Sequence, residues 1–253
     1  MKTSFRRSLT ALLIILVSGC AAYASKQLDQ FYGIAEPREN LVHVDSAQAS
    51  QYHNQVQPLL EKRCVVCHGC YDAPCQLKLS SPAGINRGAS KATVYDGARL
   101  RAADLTRLFE DASTTEQWRL KGFYPVLNER EQTPEINQQA GILFQALQLK
   151  KRHPLPDQAI LDERFDLGLG RKQQCPRDNE WQAFAEKYPL WGMPYGLPAI
   201  HPNESAVLET WIANGANMAK KPRLPARYHD YIDRWERFLN GNSLKQQLMA
   251  RNV

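Results

Sequence analysis

Long apolar runs are scarce in this chain of 253 residues. The one clear stretch, Leu9 to Val17, is too short to cross a bilayer as a helix, and no later segment could span one. Glycine-rich phosphate loops and blocks of basic residues are missing too, which argues against a nucleotide- or nucleic-acid-binding protein. There is no sustained apolar alternation for a large sheet and no internal repeat. The net charge of +6 is mild and favours anionic surfaces slightly. Methionine is rare, with four in all, and cysteine and histidine number six each, so where they cluster carries information.

They cluster at Cys64-Val65-Val66-Cys67-His68, a C-x-x-C-H run. Two thiols one helical turn apart can add to the two vinyl groups of a porphyrin, and the next histidine can reach the iron. That combination reads as the attachment site of one covalent haem c, with His68 as axial ligand. A structural zinc or iron–sulfur site built from Cys64, Cys67, Cys70 and Cys75 is the competing reading. Its fourth spacing is wrong for such a site, and it leaves His68 without a role.

Lys2, Arg6 and Arg7 precede the short apolar run, the layout of a bacterial export signal over 1–24. Two processing sites fit. Val17-Ser18-Gly19-Cys20 would make Cys20 a lipidated N-terminus, and Ala22-Tyr23-Ala24 would serve ordinary cleavage. Either places the protein in the periplasm, where disulfides persist. Cys70, Cys75 and Cys175 are then disulfide candidates, with the pairing open.

The remaining pattern predicts a mainly α fold. Residues 25–45 read as an irregular leader. A helix over Ala47 to Val56, with Pro58 opening the turn before Cys64, delivers the chain to the haem motif. His201-Pro202-Asn203-Glu204 starts a second helix that Gly215 stops, its apolar side formed by Val207, Leu208, Trp211 and Ile212. Just before it, Met193 lies in a Gly/Pro-rich loop. Its thioether is the expected sixth iron ligand, with His201 as a substitute. The expectation is a cytochrome c-like haem domain over 46–219. It carries an insertion at 76–189, with helices at Asp104 to Ala112 and Ile136 to Leu149. His43, His53, His153 and His229 read as surface or loop residues. Tyr228, Tyr231, Ile232, Trp235, Phe238 and Leu239 form an aromatic stripe at helical spacing, the opening of a further helical domain at 220–253, with a short helix after Gly241.

Cys64-Val-Val-Cys-His-Gly-Cys-Tyr-Asp-Ala-Pro-Cys-Gln-Leu-Lys-Leu79 resembles the signature of the bacterial fatty acid cis/trans isomerases. So do Gly122-Phe-Tyr-Pro-Val-Leu127 and Trp191-Gly-Met-Pro-Tyr-Gly-Leu-Pro198 followed by Trp211. The resemblance runs from about Phe31 onward. It implies a periplasmic c-type haem protein that converts cis-unsaturated acyl chains of membrane phospholipids to trans, stiffening the bilayer under stress. Members of that family continue well past this length, so it also implies an N-terminal portion or truncated member, with the missing C-terminal domain as a partner. Rotation about a double bond needs its π bond weakened, and transient electron withdrawal by a high-potential ferric haem would do that without ATP or a reductant. The acid–base candidates Asp72 and Glu180 have no defensible pairing. A non-catalytic electron-transfer cytochrome is the alternative function, which the haem motif and methionine loop support equally well.

Overall fold

A computed structural model describes residues 26–94, 104–157, 160, 161, 163, 165, 166, 168, 172–220 and 226–252. The export signal over 1–24, with Cys20 and the Ala22-Tyr23-Ala24 site, lies outside the described residues. The chain divides into two units, Met1–Ala219 and Lys220–Val253. Among the described residues the fold is mainly helical, with isolated bridges in place of sheets.

The first unit is built around two helical segments that meet in its core. Ser46 caps α2 (Ala47–Gln51), accepting from the Ala49 amide at 3.1 Å. The chain runs on through a π-helical turn, Tyr52–Val56, into α3 (Gln57–Arg63), where Pro58 sits in the first turn as expected. Across from it, α10 (Pro202–Ala213) ends where Gly215 adopts φ +88°, a backbone region that favours glycine. Tyr52, Val56 and Leu60 share one buried cluster with Leu208, Trp211 and Ile212, and the Tyr52 and Trp211 rings lie 6.3 Å apart. Burial of side chains of this size stabilises by about 1.5–3 kcal/mol each. Leu143 and Leu147 of α8 (Ile142–Arg152) join the same cluster.

Three expectations need correcting. The leader is not wholly irregular: it is helical over 26–32 (α1), and its later part is bound into the unit. Asn40 and Val42 exchange backbone hydrogen bonds with the fully buried Met218, both at 2.8 Å. Asp104 to Ala112 is not a helix. The Asp111 carboxylate turns back to accept from the Arg107 amide at 2.6 Å, a local bond that competes with helix formation, and Phe109 has φ +71°. The helix forms later, as α6 (Thr115–Leu120), where Thr114 and Gln117 make a capping box. The predicted Ile136 to Leu149 helix is two, α7 (Pro134–Gln139) and α8, broken because Gly141 is extended and the Leu143 amide bonds the Val126 carbonyl at 2.9 Å.

The second unit holds α11 (His229–Leu239) and α12 (Leu244–Ala250), at the positions of the predicted aromatic helix and the short helix after Gly241. None of its described residues is buried.

Candidate functional site

Cys64 ends α3, its amide bonded to the Leu60 carbonyl at 2.8 Å. It then leaves helical geometry, and a single turn follows, α4 (Val65–His68). The Cys67 and His68 amides both return to the Cys64 carbonyl, at 3.2 and 2.9 Å. Both thiols and the imidazole therefore stand on one turn. Cys64 is half-buried against the core, Cys67 is exposed and His68 is buried. Burial, then the neighbouring Cys67, pushes the Cys64 thiol up to about 11, so it is protonated at neutral pH.

His68 is oriented by its own backbone surroundings. Its Nδ1 lies 3.2 Å from the Leu77 carbonyl, and its carbonyl accepts from the Leu79 amide at 2.7 Å. A carbonyl only accepts, so Nδ1 carries a proton and the neutral ring has its lone pair on Nε2. Metal-binding imidazoles are commonly fixed in this way.

The segment that holds His68 is itself tied down. Cys75 is disulfide-bonded to Cys175, which resolves the open pairing and leaves Cys70 as an exposed free thiol. The disulfide also takes Cys75 out of any four-cysteine metal site, and no metal-ion cluster of histidine, cysteine and acidic residues occurs among the described residues. The Cys75 amide donates to Gln173 Oε1 at 2.7 Å. The Gln76 side chain donates to the Ala92 carbonyl at 2.9 Å and accepts from the Thr106 hydroxyl at 2.6 Å. Arg87 donates to the carbonyls of Gln76 and Thr106 and lies under the Trp118 and Phe123 rings. Its burial lowers its pKa to about 10, still leaving a cation near neutral pH.

Met193 stands on the other side of the insertion, in a loop lying on α8. Its amide donates to the Ala146 carbonyl at 2.9 Å, and the Met193–Pro194 peptide is cis. The loop approaches so closely that a Cβ on Gly192 would sit 2.2 Å from the Lys150 amide nitrogen. The Met193 side chain is half-buried. His201 is the N-cap of α10, where its Nδ1 accepts from the Asn203 amide at 3.4 Å. His53, expected at the surface or in a loop, is instead half-buried on the π-helical turn and bonded to Gln57 at 3.0 Å. Glu180 pairs with Lys91 at 2.5 Å, and Asp72 is exposed.

Three features around this loop escaped the sequence reading. Lys150 is fully buried and its ammonium has no hydrogen-bond partner, and burial lowers its pKa. The rings of Trp181, Phe184, Tyr188, Trp191, Tyr195 and Phe165 succeed one another at centroid distances of 4.6–5.6 Å. Their spacing from 181 to 195, by threes and fours, was a readable signal. Beside them an apolar cleft of about 410 Å³ is lined by Leu155, Pro156, Ile160, Leu161, Phe165 and Pro198. That volume suits a small apolar ligand.

The residues of the Cys64–His68 turn fit a haem c: two thiols and an imidazole oriented through Nδ1 stand on one turn. The family model for fatty acid cis/trans isomerase matches residues 103–253, more than half of the chain. The matched segment includes Met193 and begins after His68. No curated protein and no solved structure matches significantly.

Proposed function

Because this chain belongs to the fatty acid cis/trans isomerase family, we propose that it converts cis double bonds of unsaturated membrane acyl chains to trans, in the periplasm, with one covalent haem c. The family match carries the reaction. The Cys64–Cys67–His68 turn, with His68 Nδ1 bonded to Leu77, carries the cofactor. Bound there, the haem would supply a one-electron acceptor able to weaken the π bond of an alkene.

The chain's own residues have separable tasks. Cys64 and Cys67 would hold the haem by thioether bonds. His68 would ligate the iron, and the Leu77 carbonyl holds its ring in a fixed orientation. Met193 would offer a soft thioether as a second axial ligand, a ligation that raises the potential of a haem iron. The cleft at Leu155, Leu161, Phe165 and Pro198 would receive the acyl chain against its apolar walls.

Acyl-chain analysis of cis-unsaturated phospholipid vesicles, after incubation with haem-loaded protein, tests the reading. Trans product that disappears in Cys64→Ala/Cys67→Ala is the expected result. Full haem incorporation with reversible reduction and no trans product would instead make the chain an electron-transfer cytochrome.

A further inference from the structure

The helices of the second unit are amphipathic and have no core of their own. On α11, Tyr231, Ile232, Trp235, Phe238 and Leu239 follow one another by ones and threes, and so fill a single face about one third of the circumference wide. Tyr231 and Trp235 are 58% and 59% exposed. On α12, Leu244 and Leu248 stand one turn apart and are 85% and 63% exposed. An apolar surface of this size needs a partner.

Charge identifies what kind. From Lys220 to Val253 the sequence has eight lysines and arginines against three acidic residues. That segment therefore accounts for +5 of the chain's net charge of +6. By helical spacing Asp230, Asp233 and Arg237 lie away from the aromatic face, whereas Arg234 flanks one edge of it and Glu236 the other. Arg234 lies over the Tyr231 ring at 4.8 Å and Arg227 over Tyr228 at 5.0 Å. The Trp235 and Phe238 rings meet edge to face at 5.9 Å. Tyrosine and tryptophan have an apolar body and a polar tip, and arginine pairs with phosphate, so the mixture matches the boundary between acyl chains and anionic headgroups. The basic excess lies at Lys220, Lys221, Arg223, Arg227 and Arg251, which flank the two helices in the sequence, while the charges on α11 and α12 themselves cancel.

We propose that α11 and α12 dock this protein on the surface of an anionic phospholipid bilayer, the apolar face inserted at the headgroup level and the basic residues that flank it and the helices on the phosphates. The two helices belong to the second unit, whereas the Cys64–His68 turn and the Met193 loop belong to the first. Docking would bring the enzyme to a substrate that never leaves the membrane, in line with the reaction proposed above, but the docking itself does not depend on that reaction.

Co-sedimentation of the haem-loaded full chain with vesicles of saturated phosphatidylglycerol and phosphatidylcholine tests it. Saturated chains offer no double bond, so the readout is independent of turnover. Binding should be at least about tenfold stronger than to pure phosphatidylcholine and should weaken in high salt. The Tyr231→Glu/Trp235→Glu variant, checked for unchanged haem absorbance and far-UV circular dichroism, should lose roughly tenfold or more. Equal binding by the variant, or no preference for the anionic lipid, overturns the proposal. So does a dimer that the variant converts to monomer without any vesicle binding, which would make the face a protein interface. Vesicle binding without trans product in the unsaturated assay would leave the docking intact and remove the isomerase reading.

Discussion

The turn that bears His68 and the loop that bears Met193 are held by opposite means. On the histidine side, directional bonds dominate: the ring and carbonyl of His68 are both bonded to the segment at 77–79. That segment follows Cys75 and Gln76, which are fixed by a disulfide, by Gln173 and by Arg87. On the methionine side, shape dominates. One amide bond to Ala146, the close approach of Gly192 to α8, and a succession of rings position the loop, while the Met193 side chain itself is only half-buried. Directional bonds set an orientation before any cofactor arrives, whereas ring packing sets a position and leaves the tip of a long side chain free to adjust. The histidine side is therefore the preorganised half of the proposed haem site.

Breaking the disulfide attacks that half most directly. Cys75 and Cys175 close a loop with a sequence separation of 100. Loop-closure entropy puts the loss for Cys75→Ser/Cys175→Ser at about 4–5 kcal/mol, measurable by urea unfolding of the apoprotein. A loss below about 1 kcal/mol would show that Gln173 and Arg87 already hold the segment without it. On the methionine side, Gly192→Ala should cost about 1–3 kcal/mol, because its methyl group meets the backbone of Lys150. Hydrogen exchange should then quicken at the Met193 amide and stay unchanged at Leu79. Equal quickening at both amides would abolish the contrast between the two sides. Lys150→Met should act in the other direction. It removes a buried ammonium without a partner, so the apoprotein should gain about 1–2 kcal/mol in the same urea measurement.

The same contrast explains what the sequence reading captured. The Cys64–His68 turn is a local arrangement, and a local arrangement is written in contiguous residues. Caps were legible for the same reason: Pro202 and Glu204 announced α10, and Gly215 announced its end. The Asp104 to Ala112 error arose where apolar spacing was right but Asp111 offered the Arg107 amide a competing partner. The Leu77 carbonyl and Arg87 could not be read, nor could the choice of Cys175 over Cys70 as the partner of Cys75, because each reaches its site through tertiary packing. Lys150 was hidden more deeply still. In the sequence it belongs to a basic helix end, Lys150-Lys151-Arg152, and its full burial arises only in the tertiary fold, where Gly192 closes on its backbone.

Glu204 offers the smallest and most pH-specific test, since it joins the two sides. It lies in the first turn of α10, just after the Met193 loop, and accepts from Lys62 at 3.0 Å and Arg63 at 2.8 Å on the helix that delivers Cys64. These two cations hold its carboxyl below the usual carboxylate range. A folded-state pKa lower than the unfolded one means that the contribution is complete above the ordinary carboxylate pKa. It is lost as pH falls through the depressed folded value. Wild type should therefore exceed Glu204→Gln in stability at neutral pH, with the difference vanishing on acidification and shrinking in high salt. A difference that persists unchanged under acid, where the carboxylate is gone, would assign the effect to packing at the α10 N-terminus. The link between the histidine and methionine sides would then be one of shape rather than charge.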